Sequence, residues 1–140
     1  MNRNVFDDNN SIQYLLNHRN KYSDLYKSEK FFFNKLNASK TFLDLGCGIG
    51  GFLNILEEKL QVKNYTGLDV SKKMINKAKT LHPKSNFVLY DGKNIRLKKK
   101  IDAAFSFGTL HYCNNYNSLI RQMFEISKNL IIFDLRLTFR

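Results

Sequence analysis

The sequence predicts an α/β fold, a mostly parallel, doubly wound sheet with helices packed on it, and two observations carry that prediction. From Thr41 to Leu135, short apolar runs alternate with stretches of helical periodicity. The first run passes into a glycine-rich turn, Gly46-Cys47-Gly48-Ile49-Gly50-Gly51, that opens the first helix of the alternation. Strands separated by helices imply right-handed crossovers and therefore parallel pairing.

Taken in order, residues 11–37 read as helical. Ser11 is placed to cap a stretch with Ile12, Leu15 and Leu16 on one face, and a second stretch begins near Ser23 or Ser28 and runs to Leu36. Thr41–Leu45 is the first strand, and Gly51–Leu60 follows as a helix with Phe52, Leu53, Leu56 and Leu60 in period. Tyr65–Asp69 is the second strand. Ser71 then caps a helix whose Met74, Ile75, Ala78 and Leu81 share a face, with Lys72, Lys73, Lys77 and Lys79 towards solvent. Asn86–Tyr90 and Ile101–Phe107 are the third and fourth strands, joined by a basic loop with at most one helical turn. A helix over about 116–127 and a fifth strand, Leu130–Leu135, complete the pattern. The division is a helical cap over 1–40 and a core over 41–140, with no Gly/Ser-rich linker between them.

Composition narrows the class. A chain of 140 residues with 43% hydrophobic content is one globular domain's worth. No run approaches the roughly 20 apolar residues of a spanning helix, and MNRNVFDDNN is too polar for a secretory signal. A soluble, cytoplasmic protein is expected, with no membrane contact. Two cysteines, Cys47 and Cys113, support neither a disulfide framework nor a metal cluster, so no metal is expected. The net charge of +11 is unevenly spread: Lys72–Lys100 holds nine Lys and one Arg against the single acid Asp91. Such a segment suits RNA or an acidic partner. A solvated helix face plus a basic loop explains it too, as does the Lys- and Asn-rich, Pro-poor composition of an AT-rich coding sequence.

Chemistry concentrates at the glycine turn. Gly46, Gly48 and Gly51 satisfy the G-x-G-x-x-G dinucleotide pattern, which alone is weak. Asp44, two residues earlier, discriminates: a carboxylate there repels a pyrophosphate but suits a ligand with an ammonium group and no phosphate. Asp69 ends the second strand, 18 residues beyond Gly51. A carboxylate at that point of a doubly wound sheet accepts both ribose hydroxyls of an adenosine moiety. Capping of the following helix is its plainer role.

Asp44-Leu45-Gly46-Cys47-Gly48-Ile49-Gly50 resembles the D/E-x-G-x-G-x-G signature of class I S-adenosylmethionine (SAM)-dependent methyltransferases, a Rossmann-like superfamily. Asp69 resembles the family's ribose-binding acid, Asp91-Gly92 the segment that reads the adenine amino group, and Phe105–His111 the stretch lining the methionine and substrate side. The likeness runs in order from about Thr41 to Leu135. It implies a sheet of order 3-2-1-4-5 and SAM as cofactor. Asp44, with Gly46, Cys47, Gly48 and Gly50, would hold the methionine moiety. Asp69 would take the ribose, and Val70, Met74, Asp91 and Gly92 would surround the adenine. Phe107 would border the methyl-donating end, and His111 is the candidate general base if the acceptor must lose a proton. Tyr112, Tyr14, Arg19 and Tyr22 are placed to close over the ligand, with core or surface duty as the competing and commoner role of each. Plain packing is the competing role for Met74 and His111, and a turn role for Asp91.

The sequence departs from the family at its end. The family's final antiparallel hairpin is missing after the fifth strand, which leaves an apolar open edge. A truncated chain, a second copy or partner at that edge, or coverage by the N-terminal helices would each account for it. The expected function is methyl transfer from SAM to an unidentified acceptor, with a small molecule ahead of RNA. The alternatives are a non-catalytic SAM-binding module that pairs through its open edge, and a nucleotide-linked oxidoreductase.

Overall fold

The computed structural model describes residues 9–136. Five strands form one sheet of order β3-β2-β1-β4-β5: β1 (Thr41–Leu45), β2 (Asn64–Asp69), β3 (Asn86–Leu89), β4 (Ile101–Ser106) and β5 (Ser127–Phe133). All four pairings are parallel. The predicted fold class and strand order are therefore observed. A central parallel strand is buried on both faces and reads as a continuous apolar run. Phe42, Leu43 and Leu45 of β1 and Ala103, Ala104 and Phe105 of β4 meet that demand, each no more than 1% exposed.

Helices α3 (Gly51–Lys59) and α4 (Lys72–Leu81) cover one face of the sheet. Phe52, Leu53, Ile55 and Leu56 of the first and Ile75 and Ala78 of the second pack with Tyr65, Phe87 and Phe105. The Ser71 hydroxyl accepts from the Met74 amide at 3.1 Å, the expected cap of α4. Helix α5 (Tyr116–Ile126) covers the other face through Leu119 and Met123. Beside it, the loop between β3 and β4 inserts Ile95 where a helix would otherwise sit. Truncating a fully buried leucine of either layer, such as Leu53, costs about 2–5 kcal/mol.

The N-terminal segment differs in detail from the periodic reading. Helix α1 runs Asn9–Asn17, so Ser11 lies in its first turn and not at its cap. The second stretch divides into a 3₁₀ turn (Tyr22–Asp24), α2 (Lys27–Phe33) and a further 3₁₀ turn (Asn34–Ala38). Leu25, Phe33 and Leu36 anchor it to the core, whereas no residue of α1 is buried. Strand β5 begins at Ser127, directly from α5, and ends at Phe133, because its pairing with β4 starts at Ile101↔Ser127. Its outer edge borders a groove lined also by Phe32, Lys35 and Ala38, so the N-terminal helices lie alongside that edge. Among the described residues, no helix is long and apolar enough to cross a membrane.

Candidate functional site

A cavity of about 530 Å³ opens at the carboxyl ends of β1, β2, β4 and β5, within the size range of small-ligand sites. Its floor is the glycine turn. Gly46 and Gly48 have φ of 84° and 53°, a left-handed backbone that disfavours side chains. A Cβ on Gly46 would also collide with Thr109. The Gly46 and Cys47 amides both donate to the Leu68 carbonyl, at 2.7 and 3.1 Å, which pins the turn against β2.

Two carboxylates frame the floor. Asp44 is 4% exposed and lines the cavity. One of its oxygens accepts from the Tyr65 hydroxyl at 2.7 Å. Burial pushes its carboxyl up to about 7, the Tyr65 hydrogen bond and Arg19 pull it down, and the neighbouring Asp69 pushes it up. An anion held this far from water is suited to a ligand cation. Asp69 accepts from the Gly48 amide at 2.9 Å and from the Ser71 amide at 2.9 Å. It therefore ties the glycine turn to the start of α4 while lining the cavity, so turn geometry and ligand contact coincide in one side chain.

Of the sequence-predicted ligand residues, Asp44, Gly46, Cys47, Gly48, Asp69, Met74 and Phe107 line the cavity together. Cys47 is 7% exposed, and burial holds its thiol well above the ordinary range, consistent with a small turn residue. Phe107 stacks on Phe52 with ring centroids 5.0 Å apart. Gly50, Val70, Asp91, Gly92 and His111 do not line it. Gly50 caps α3 in a left-handed conformation, and its position is crowded by Phe87 and His82. Val70 packs beside Gly92. The Asp91 carboxylate accepts from the Lys93 and Asn94 amides, both at 2.8 Å, which holds it down at about 2. Asp91 is thus a turn residue in this conformation, the plainer of its two expected roles. Among the described residues, neither of the two buried ring nitrogens of His111 has a hydrogen-bond partner, and burial lowers its pKa. The ring packs on Tyr112, with centroids 4.1 Å apart.

The cavity roof comes from the N-terminal segment. Tyr14, Leu15 and His18 line it from α1 and its end, with Arg19 and Glu29 beside them. Arg19 donates to the two Glu29 oxygens at 2.7 and 3.2 Å, a bidentate pair. Of the residues expected to close over the ligand, Tyr14, Arg19 and Tyr112 line the cavity. Tyr22 instead packs edge-on against Phe33 at 5.4 Å. Sequence reasoning missed Glu29, Asp134 and Arg136, whereas Thr109 lies in the expected Phe105–His111 stretch. Asp134 accepts from the Gly108 amide at 2.6 Å, fastening the loop after β4 to the end of β5. No local pattern announces that contact, since its partners are 26 residues apart.

Residues 43–130 match the family model described as a methyltransferase domain. A protein of invertebrate iridescent virus 6 named as methyltransferase 235L is 30% identical over 106 residues, which is 74% of this chain and 40% of that protein. The malonyl-[acyl-carrier protein] O-methyltransferase of Bacillus anthracis is 30% identical over 91 residues, 64% of this chain and 34% of the enzyme. Among solved structures, the plantazolicin methyltransferase BpumL, in complex with a pentazolic desmethylplantazolicin analogue and SAH, superposes with a TM-score of 0.63. It is 26% identical and is matched over 74% of this chain and 42% of its own. The chain spans about two fifths of the length of such relatives.

Proposed function

The chain belongs to the class I, SAM-dependent methyltransferase domain family, and we propose that its cavity holds SAM for methyl transfer to a small-molecule acceptor. The observation that carries this reading is the pairing of Asp44 and Asp69 across a glycine turn at the carboxyl edge of the sheet. That edge, beside the point where strand order reverses, is where open α/β sheets bind ligands.

The chain's residues divide the work by chemistry. Asp44, buried and with only the Tyr65 hydroxyl bound to it among the described residues, takes the ammonium group. Gly46 and Gly48 let the methionine moiety lie against the backbone. Asp69, which accepts from the Gly48 and Ser71 amides at the edge of the cavity, takes the ribose hydroxyls. Met74 flanks the adenine. Phe107 and Thr109 border the reacting end, where the cavity aligns the reactants. When bound, SAM would supply an electrophilic methyl carbon with a good neutral leaving group.

Residues 1–40 act as a cap on a 41–140 core in this reading, since α1 roofs the cavity while burying none of its own residues. A roofed cavity favours an acceptor of small size, and the plantazolicin analogue held by one solved relative points the same way. A general-base role for His111 draws no support from its buried ring nitrogens. The test is methyl transfer from labelled SAM to fractionated cell extract. Label in the small-molecule fraction is expected, and label confined to RNA or absent from every fraction contradicts the proposal.

A further inference from the structure

The cavity runs across the carboxyl ends of the sheet in the order β2, β1, β4, β5. Asp69 ends β2 and Asp44 lies in β1, so the cofactor reading fills that half. The other half is bounded by the loop after β4 and by Asp134 and Arg136, which follow β5. There is room at Gly108, where nothing lies within 4 Å of a Cβ position. The charges of the wall are engaged, with one exception. Arg19 and Glu29 neutralise each other in their bidentate pair, and Asp134 accepts from the Gly108 amide. Arg136 is exposed and pairs with no acid among the described residues. After burial, the Arg136 charge is the next cause that lowers the His111 pKa, so the guanidinium lies beside the loop after β4.

We propose that the acceptor is a small carboxylate, seated by Arg136 and methylated on its own oxygen to give an ester. The inference rests on the cofactor reading above. A guanidinium presents a fork of donors that matches the two oxygens of a carboxylate. Those oxygens offer about four lone-pair sites, so the group can be held and still attack. A carboxylate is also ionised at neutral pH and needs no general base. His111, the base expected at this end, has neither buried ring nitrogen partnered among the described residues. In the transfer, a carboxylate oxygen gives the electron pair of the new O–C bond. The carbon–sulfur bond breaks with its pair going to sulfur. The anionic acceptor and the cationic sulfonium both end neutral, and no proton moves.

The first test incubates the native chain with methyl-labelled SAM and cell extract, then treats the small-molecule fraction with dilute base. A methyl ester releases its label as volatile methanol, and more than half of the label is expected to leave in that form. Base-stable label in small molecules overturns this inference and leaves the cofactor reading standing. No label in small molecules contradicts both. The second test needs no turnover: calorimetry of benzoate and of benzamide against the SAH-saturated chain. Benzoate is expected to bind at least fivefold more tightly. Arg136→Gln is expected to abolish that preference while SAH affinity stays within twofold, and Arg136→Lys, which keeps the charge, to retain part of it. Equal binding of the two probes, no binding of either, or a preference that survives Arg136→Gln overturns the proposal.

Discussion

The Tyr65 hydroxyl donates a 2.7 Å hydrogen bond to Asp44, and both residues are under 5% exposed. The bond joins neighbouring strands β1 and β2 beneath the cavity and fixes the carboxylate that the glycine turn surrounds. Tyr65→Phe removes the bond and leaves the carboxylate without its described partner. A loss of about 1–3 kcal/mol in folding stability follows, together with weaker SAH binding. Urea unfolding and calorimetry of the variant check both.

Burial raises the Asp44 carboxyl from 3.8 to about 7. A raised carboxyl binds its proton more tightly in the folded chain than in the unfolded one. Its contribution to stability is therefore fully present below about pH 4 and is lost as pH rises towards 7. Ligand binding runs the other way, since an ammonium group pairs with the ionised form. SAH affinity is expected to rise with pH up to about 7 and then level off, with proton release on binding near pH 6. Calorimetry in buffers of different ionisation enthalpy measures that release, and proton uptake would contradict the assignment.

Gly46→Ala forces a side chain into a left-handed backbone and against Thr109. The backbone term alone costs roughly 1–2 kcal/mol, and the collision adds to it. Gly108→Ala is the informative comparison. It too has a positive φ, but nothing lies within 4 Å of its Cβ position. Denaturation midpoints are expected to fall more for the first variant than for the second.

The Arg19–Glu29 pair ties the turn after α1 to α2. Arg19 also holds a left-handed φ of 63°, unusual for a residue with a side chain. Arg19→Gly relieves the backbone but breaks the pair, whereas Arg19→Ala loses the pair and keeps the strain. Proteolysis in the first 20 residues is expected to be fastest for Arg19→Ala, and SAH is expected to slow it in the native chain by holding the roof closed.

Much of the fold was legible because its signals are local. The β1 run, the glycine turn and the Ser71 cap each depend on adjacent residues, and the structure places all three as read. The strand order came with the family resemblance. Half of the candidate site was legible for the same reason, since Asp44 and Asp69 sit at fixed offsets from the turn. The rest was not. The Glu29 and Asp134 contacts depend on partners distant in sequence, 10 residues away for Glu29 and 26 for Asp134. Asp91 and His111 were read from their position after a strand, and a strand's end does not determine which way the next side chain turns. The start of β5 was misplaced because Ser127, Lys128 and Asn129 lack apolar character, yet Ser127 pairs with Ile101 and the strand resumes pairing at Leu130 after a register shift.

The central claim, that Asp69 and the glycine turn hold SAM, is tested most directly by calorimetric titration of SAH into the native chain and into Asp69→Asn. Asparagine keeps an acceptor for the Gly48 or Ser71 amide but loses the charge, and a melting curve confirms that the variant is folded. The account predicts saturable one-to-one binding to the native chain and at least tenfold weaker binding to the variant, the loss of charge-assisted hydrogen bonds of about 1.5–3 kcal/mol. Equal affinities in two folded proteins, or no binding to either, would contradict it.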